Sequence, residues 1–210
     1  MINTFKNETL LIDKIIKNPL DSHLILLNNH LSRYDKAIES LEITSKDIVI
    51  DASCGLGYGS YVLAQKAKLV IGLDTNPRYI KFAKEKFKTQ NIQFFLYDDF
   101  KKSPIKADKI VCIETYEHVD KENIGIFLKM ILGFLKNRGD MFLTVPLGKN
   151  KPSSYNKYHL NEPSIDVLYD NFARHFKTIN FEINYFKNSF GYFSEYCFLT
   201  LKNYKKNYEV

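Results

Sequence analysis

The segment DASCGLGYGS, residues 51–60, places Gly55, Gly57 and Gly59 directly behind a run of apolar residues. Ordered glycine costs conformational entropy, so a cluster of this kind requires a physical reason. A tight turn from a strand into a helix, with a ligand lying against the backbone, provides one. The glycines alone predict a tight strand-to-helix turn after the first strand of an α/β sheet, and a bound ligand requires further residues beside the turn.

Short apolar runs on both sides of this loop have the pattern of buried strands. They occupy residues 47–51, 69–74, 92–97, 109–114 and 139–147. The segments between them carry apolar residues at three- and four-residue spacing, which predicts helices at 58–68, 77–88 and 121–136. We interpret the cations before Gly139 as the end of the third of these helices.

The remaining segments complete the expected architecture. The pattern predicts a helix at 163–176, strands at 177–188 and 194–203, and N-terminal helices at 7–18 and 22–41. The whole is expected to be a doubly wound, Rossmann-like, seven-stranded, mostly parallel sheet with its last strand antiparallel and helices on both faces. We expect a single domain, 1–210, with a helical N-terminal cap at 1–45 over the cofactor site and an α/β core at 46–210.

Composition limits the function classes. The chain has 210 residues, 45% of them hydrophobic, and no apolar run long enough to predict a membrane span. Its three cysteines match no zinc-binding spacing, so we expect no metal, and without a signal-peptide pattern they indicate a cytoplasmic protein. The net charge of +6 comes from scattered lysines, which favours an acidic small substrate over nucleic acid.

Two carboxylates flank the predicted loop. Asp51 ends the first strand and Asp74 ends the second, where a carboxylate can accept both hydroxyls of a ribose. This arrangement indicates an adenosine-containing ligand. A nicotinamide fingerprint reads G-x-G-x-x-G, whereas this loop reads G-x-G-x-G behind an acid, which suits a sulfonium better than a pyrophosphate.

Five segments then resemble, in order, the motifs of class I S-adenosylmethionine (SAM)-dependent methyltransferases. They are residues 49–64, 71–87, 91–100, 107–119 and 134–146. The resemblance implies a methyltransferase of EC 2.1.1.- that uses SAM and releases S-adenosylhomocysteine (SAH). It implies that Asp98 accepts from the adenine amine and that Asp99 or Phe100 flanks the ring. The implied cofactor residues also include Asp51, Gly55, Gly57, Tyr58, Asp74, Thr75 and Glu114.

A narrower resemblance concerns residues 30–38, 54–60 and 155–164. They look like segments of bacterial small-molecule methyltransferases, many of which are associated with sugar or surface-polysaccharide modification. By that resemblance Arg33 and Tyr34 lie near the carboxylate of SAM, with His30 close by. The alternative is a helix with a solvated polar face.

Candidate catalytic and substrate residues follow the fourth and fifth strands. Methyl transfer to oxygen requires a base, and His118 and His159 are the candidates; each has a purely structural alternative. Amphipathic side chains beside them suit a hydroxylated acceptor. The predicted substrate-binding residues are Tyr116, Tyr155, Asn156 and Tyr158.

The leading hypothesis is methyl transfer to an oxygen of a sugar, sugar nucleotide or phosphorylated metabolite in surface-polysaccharide biosynthesis. Two alternatives stay open: an O- or N-methyltransferase of an aromatic or quinone-like acceptor, and a non-catalytic SAM-binding module. The NPRY segment at 76–79 follows the second strand rather than the fourth, which argues against a nucleic-acid base as acceptor. The expected partner is a small molecule, and the sequence leaves the oligomeric state open.

Overall fold

The computed structural model describes residues 24–150, 152–153, 156–187 and 193–205. The strands are β1 (Ile48–Ala52), β2 (Leu69–Asp74), β3 (Ile92–Leu96), β4 (Ala107–Ile113), β5 (Leu135–Pro146), β6 (Phe176–Lys187) and β7 (Phe193–Tyr204). The helices are α1 (Leu24–Ser40), α2 (Tyr58–Ala64), α3 (Pro77–Lys86), α4 (Tyr97–Phe100), α5 (Ile124–Leu132) and α6 (Ile165–Phe172). Short 3₁₀ turns lie at Tyr116–His118 and Lys121–Asn123.

The seven strands form one sheet in the order β3-β2-β1-β4-β5-β7-β6. Strand β7 is antiparallel to both neighbours, and the other pairings are parallel. The predicted fold class is therefore confirmed. The chain leaves β1 toward β2 on one side and β4 lies on the other side, so the strand order reverses at β1. Ligands in such sheets bind at that switch point, outside the carboxyl ends of the strands.

Alternating strand residues feed two separate cores, one on each face of the sheet. On one face, Ile50, Ile71 and Cys112 pack with α5 and α6. On the other, Val49 and Val111 pack with the inner faces of α1, α2 and α3. Residues buried on both faces explain why the strands read as continuous apolar runs rather than alternating ones.

One predicted boundary is wrong. Helix α5 ends at Leu132, and strand β5 begins at Leu135, so the predicted helix 121–136 is too long. Gly139 lies inside the strand: a Cβ there would come within 2.7 Å of Leu135 Cδ1 and 2.9 Å of the Asp108 carbonyl oxygen. The glycine thus allows a close approach at the irregular pairing of β4 with β5.

Helix α1 packs on α2 and against β4 and β5. The predicted helix 7–18 lies outside the described residues, and so does the first part of the expected cap. Helix α6 is shorter than the predicted 163–176 segment. Within the described ranges, no helix combines the length and apolar character that crossing a membrane requires.

Candidate functional site

A cleft of about 790 Å³ opens at the carboxyl ends of β1, β2 and β4. This volume lies within the range of roughly 300–1,000 Å³ that is typical of small-molecule sites. Its lining comes from α1, the glycine loop and the segments that follow β2 and β4. The predicted site residues among the lining are Tyr34, Gly55, Tyr58, Asp74, Thr75, Glu114 and His118.

The three loop glycines have different roles. Gly55 lines the cleft with a φ of 54°, and a Cβ there would meet nothing within 4 Å. Gly57 has a φ of 88°, and its Cβ would press on Ala83 and Phe94. A Cβ on Gly59 would overlap the ring of Tyr34. Only Gly55 therefore exposes backbone to a ligand, and the other two allow the loop to pack against protein.

Asp74 lies at the end of β2 and fixes the glycine loop. Its Oδ2 accepts from the Gly55 amide at 2.9 Å, and its Oδ1 accepts from the Asn76 amide at 2.8 Å. Burial raises the pKa of this carboxyl, and the backbone hydrogen bonds oppose that rise. The side chain still lines the cleft. Asp74 thus presents a carboxylate edge where a ribose diol can bind.

Asp51 differs from the expectation. It is fully buried and does not belong to the lining of the cleft. Its carboxylate accepts from Ser60 Oγ at 2.6 Å and from the Tyr34 hydroxyl at 3.4 Å. Burial raises its pKa to about 7, against the effect of these bonds. Asp51 therefore joins α1 and α2 to the sheet beneath the loop instead of meeting a ligand at the mouth.

Arg33 is also buried, at one side of the cleft. Its guanidinium lies 3.8 Å from Glu114 Oε2 and donates to His30 Nδ1 at 3.2 Å. The guanidinium carbon lies 4.9 Å from the centre of the Phe186 ring and 4.6 Å from that of Tyr196. Because these partners occupy it, Arg33 positions Glu114 and His30 rather than lining the cleft itself.

Glu114 follows β4 in an unusual backbone conformation. Its φ is 49°, in the left-handed region that non-glycine residues rarely adopt. Its Oε1 accepts from Thr144 Oγ1 at 2.9 Å. Burial raises its pKa, opposed first by Arg33. Thr144 and Arg33 hold the side chain in this conformation, and Glu114 lines the cleft.

His118 and His159 lie together at the rim. Their ring centres are 5.1 Å apart. His118 Nδ1 donates to the Tyr158 carbonyl at 2.8 Å, and His159 Nδ1 donates to Glu162 Oε1 at 2.8 Å. Both acceptors hold the proton on Nδ1, so each Nε2 keeps its lone pair in the neutral ring. Burial lowers the pKa of His118, which favours that neutral form.

Three predicted cofactor residues lie elsewhere. Asp98 is exposed and pairs with Lys101 at 2.8 Å, and Phe100 is buried in the core against Phe95 and Phe134. Asp99 lines a second, smaller pocket of about 370 Å³ between α3 and the end of β3. Because residues 97–100 form α4, their side chains radiate around a helical turn instead of continuing the strand.

The predicted substrate residues are also separated. Tyr116 is fully buried, and its hydroxyl accepts from Asn171 at 2.6 Å, so it is a core residue. Tyr158 is exposed, with its amide donating to the Asn156 side chain at 3.0 Å in a turn. Tyr155 lies outside the described residues. None of the three described residues lines the cleft, so the predicted acceptor contacts are wrong for Tyr116, Asn156 and Tyr158.

The sequence alone does not decide whether Glu114 or Glu117 faces the ligand, and Glu114 is the preferred prediction; the structure gives Glu117 unusual surroundings of its own. Its carboxylate is fully buried, lies near His118 and His159, and takes no hydrogen bond from another described residue. Sequence reasoning missed Glu162, although it orients His159. The sequence carries a signal for both residues: Glu117 directly precedes His118, and Glu162 follows His159 by three positions.

Comparison with known proteins finds a family match over the part of the chain that forms the cleft. The methyltransferase domain family matches residues 49–139, which span β1 to the first part of β5. This stretch contains the glycine loop, Asp74, Glu114 and His118. The segment that is similar to this methyltransferase family therefore provides most of the residues that line the cleft.

Curated relatives match the chain over short stretches. An uncharacterised RNA methyltransferase from Halalkalibacterium halodurans is 35% identical over 106 residues, which cover 46% of this chain and 23% of that protein. The match to another, from Oceanobacillus iheyensis, covers only 11% of that protein. The chain thus matches less than a quarter of the length of these relatives.

Solved structures match over most of the chain. The N-methyltransferase NodS from Bradyrhizobium japonicum, in complex with SAH, has a TM-score of 0.66 at 12% identity and covers 88% of this chain and 89% of its own. The cyclopropane synthase MmaA2 from Mycobacterium tuberculosis has a TM-score of 0.66 at 12% identity, with 88% of each chain covered. These likenesses establish the class I methyltransferase fold.

Proposed function

We propose that this protein transfers a methyl group from SAM to an oxygen of a small, polar, hydroxylated acceptor. The observation that carries the proposal is the composition of the cleft. Asp74 at the end of β2 and Gly55 in the glycine loop line it, and so does His118 in the turn after β4. A ribose-binding edge and a group able to accept a proton therefore share one cavity of about 790 Å³.

The charges around the cleft favour SAM over a dinucleotide. Asp74 and Glu114 both line it, and carboxylates repel a pyrophosphate but attract a sulfonium. Tyr34 and Tyr58 add aromatic surface next to His30, which burial and Arg33 keep neutral by lowering its pKa to about 3. Aromatic faces attract cations, which also suits the sulfonium.

The reaction requires little chemistry from the protein. The acceptor oxygen attacks the methyl carbon in line with the departing sulfur, the S–C electron pair remains on sulfur, and the hydroxyl proton must leave. Alignment in a cleft contributes up to about 7–11 kcal/mol. The His118–His159 pair, at the rim, is where we expect the acceptor hydroxyl to be activated.

An oxygen of a sugar, sugar nucleotide or phosphorylated metabolite is the acceptor we favour, within surface-polysaccharide biosynthesis as the narrower sequence resemblance implies. The excess of lysine supports an anionic acceptor. A second candidate is an RNA acceptor, because the relatives that match part of the chain are named RNA methyltransferases. An aromatic acceptor is the third candidate, and the experiment below includes it.

The test is transfer of radiolabelled methyl from SAM to panels of sugar nucleotides, sugar phosphates, catechols and RNA. We expect label in a sugar panel, and we expect His118→Asn to lower kcat by roughly 10²–10⁴. His175→Asn is a matched control, because His175 is a buried histidine that precedes the edge strand β6 and does not line the cleft. Label in RNA alone would overturn the small-molecule proposal, and no transfer to any panel would favour the non-catalytic alternative.

A further inference from the structure

Three potential metal ligands converge at the rim of the cleft. Glu117, His118 and His159 each offer one ligand atom, and these atoms lie within 4.8 Å of one another. Ligand atoms on one zinc ion are about 3.3 Å apart at metal–ligand bonds of roughly 2.0–2.1 Å. An ion bound here would draw the three ligand atoms closer together. Two imidazole nitrogens and one carboxylate oxygen are a donor set that leaves coordination positions open.

Glu117 provides an independent reason to expect a ligand here. Its side chain is fully buried, and neither carboxylate oxygen takes a hydrogen bond from any other residue that the structure describes. An isolated buried carboxylate is costly, so such groups are normally paired or bound to a metal. Neighbouring Glu114 is already satisfied by Arg33 and Thr144, whereas Glu117 is not. A cation in reach of Glu117 would remove that cost.

The two histidines are oriented as metal ligands usually are. A ligand imidazole typically donates its other N–H to a carboxylate or a backbone carbonyl, which fixes the tautomer and the ring direction. His118 does so to the carbonyl of Tyr158, and His159 does so to Glu162. Backbone amides of Leu160 and Asn161 also donate to the Glu117 carbonyl, at 2.7 and 3.1 Å. These bonds hold the loop that carries His159 against the turn that carries the other two ligands.

We propose that Glu117, His118 and His159 bind a divalent transition-metal cation, of the Zn²⁺, Mn²⁺, Fe²⁺ or Co²⁺ class, at the rim of the cleft. The donor set suits these ions better than Mg²⁺ or Ca²⁺, which prefer oxygen ligands. This proposal replaces the sequence-based expectation of no metal. That expectation considered cysteine spacing, and it could not foresee that a histidine from the loop after β5 meets the turn after β4.

The ion gives the site a definite role, and this role rests on the proposed methyltransferase function. The acceptor hydroxyl takes an open coordination position, and the cation lowers its pKa so that the proton leaves to solvent. The oxygen lone pair then forms the O–CH₃ bond, the S–CH₃ bond breaks, and its electron pair leaves neutral SAH. His118 and His159 act in this scheme as ligands rather than as bases.

The direct test is binding of Co²⁺ to the metal-free, full-length chain, followed by its visible absorption, with Zn²⁺ titrated by calorimetry. We expect one ion per chain. Glu117→Gln and His159→Asn should weaken binding by more than 100-fold, because each removes a ligand. Glu162→Gln should weaken it by about 10–100-fold, because it loosens a ligand without removing one.

Two matched controls separate this site from adventitious binding. Glu122→Gln removes an exposed acid from the same segment, and His175→Asn removes a histidine outside the cluster; both should bind Co²⁺ like the unaltered chain. SAH titration of every variant reports whether the cleft is still folded. Absence of Co²⁺ absorption and of Zn²⁺ heat in the unaltered chain would overturn the metal site. Ion binding that Glu117→Gln and His159→Asn leave intact would overturn it equally.

The same samples separate the two proposals. Ion binding without SAH binding would support the metal site while contradicting the proposed cofactor. SAH binding without ion binding would leave the proposed function standing and overturn this inference.

Discussion

Substitution of Gly59 by alanine tests how the glycine loop, helix α1 and the cleft depend on one another. Gly59 is the second residue of α2, and its added Cβ would overlap three atoms of the Tyr34 ring. Tyr34 is buried, with its hydroxyl bonded to Asp51. The ring therefore cannot move aside without breaking that bond and shifting α1.

The expected cost follows from this overlap. Overpacking a dense core typically costs about 1–3 kcal/mol, and overlap with a buried ring belongs at the upper end. For a chain of 210 residues, roughly 3 kcal/mol corresponds to a fall in Tm of about 6–12 °C. Alanine is a better helix former than glycine by about 0.5–1 kcal/mol, so the measured loss should be slightly smaller.

Removing the Tyr34 ring tests directly whether the overlap with that ring causes the loss. Tyr34→Ala removes the ring and should itself cost about 3–5 kcal/mol through the cavity it leaves. In that background Gly59→Ala meets no ring, so it should become neutral or stabilising by about 0.5 kcal/mol. The coupling free energy between the two positions is then about 3 kcal/mol.

Urea unfolding followed by circular dichroism, with Tm from calorimetry, measures the stability of the unaltered chain, the two single variants and the double variant. Gly125→Ala is the matched control, since Gly125 is the second residue of α5 and its added Cβ would meet nothing within 4 Å. It should be neutral or stabilising. An equal loss for Gly59→Ala with and without the Tyr34 ring would refute the packing argument.

Three further results are expected. Because burial raises the pKa of Asp51 to about 7, the folded chain retains a proton that the unfolded chain releases from about pH 4. The free energy of unfolding should therefore fall by up to roughly 4 kcal/mol as pH rises through 4–7. Urea unfolding of Asp51→Asn should show a flatter dependence of that free energy on pH. Arg33→Leu leaves the buried Glu114 carboxylate, 3.8 Å away, without its partner and should lower the free energy of unfolding by about 3–5 kcal/mol. The double variant Arg33→Leu/Glu114→Gln should recover most of that loss in the same unfolding assay. Equal losses in the single and double variants would contradict a stabilising ion pair. Free Zn²⁺ at 100 times its Kd should stabilise the folded chain by about 2.7 kcal/mol and raise its Tm by roughly 5–10 °C. Excess chelator should reverse this shift in Tm. An unchanged Tm would count against the metal site.

Much of the fold is predictable because strand burial leaves a strong pattern. Strand β2 occupies the predicted residues, and β1, β3 and β4 differ by two residues or fewer at either end. The boundary between α5 and β5 is not predictable in this way. A glycine after three polar residues indicates a helix end, yet Gly139 is needed where two strands approach closely. That requirement is set by tertiary contacts.

The site was predictable where its residues follow directly from strand ends. Asp74, Gly55 and His118 line the cleft as the motif order implies. Phe100 was misplaced because a helical turn replaces the expected extension of β3. The sequence did not favour Glu117 over Glu114, because the proximity of Glu117 to His159 spans 42 positions along the chain and is created only by the folded loop.

Calorimetric titration of the purified chain with SAH, beside Asp74→Ala and NADH, shows whether the cleft is an adenosyl site. We expect micromolar binding of SAH, a loss of at least tenfold in affinity when Asp74 is truncated, and no heat from NADH. Asp99→Ala is the matched control, because Asp99 is an exposed acid that does not line the cleft. Binding of NADH with no response to SAH or SAM would show instead that the cleft holds a nicotinamide dinucleotide.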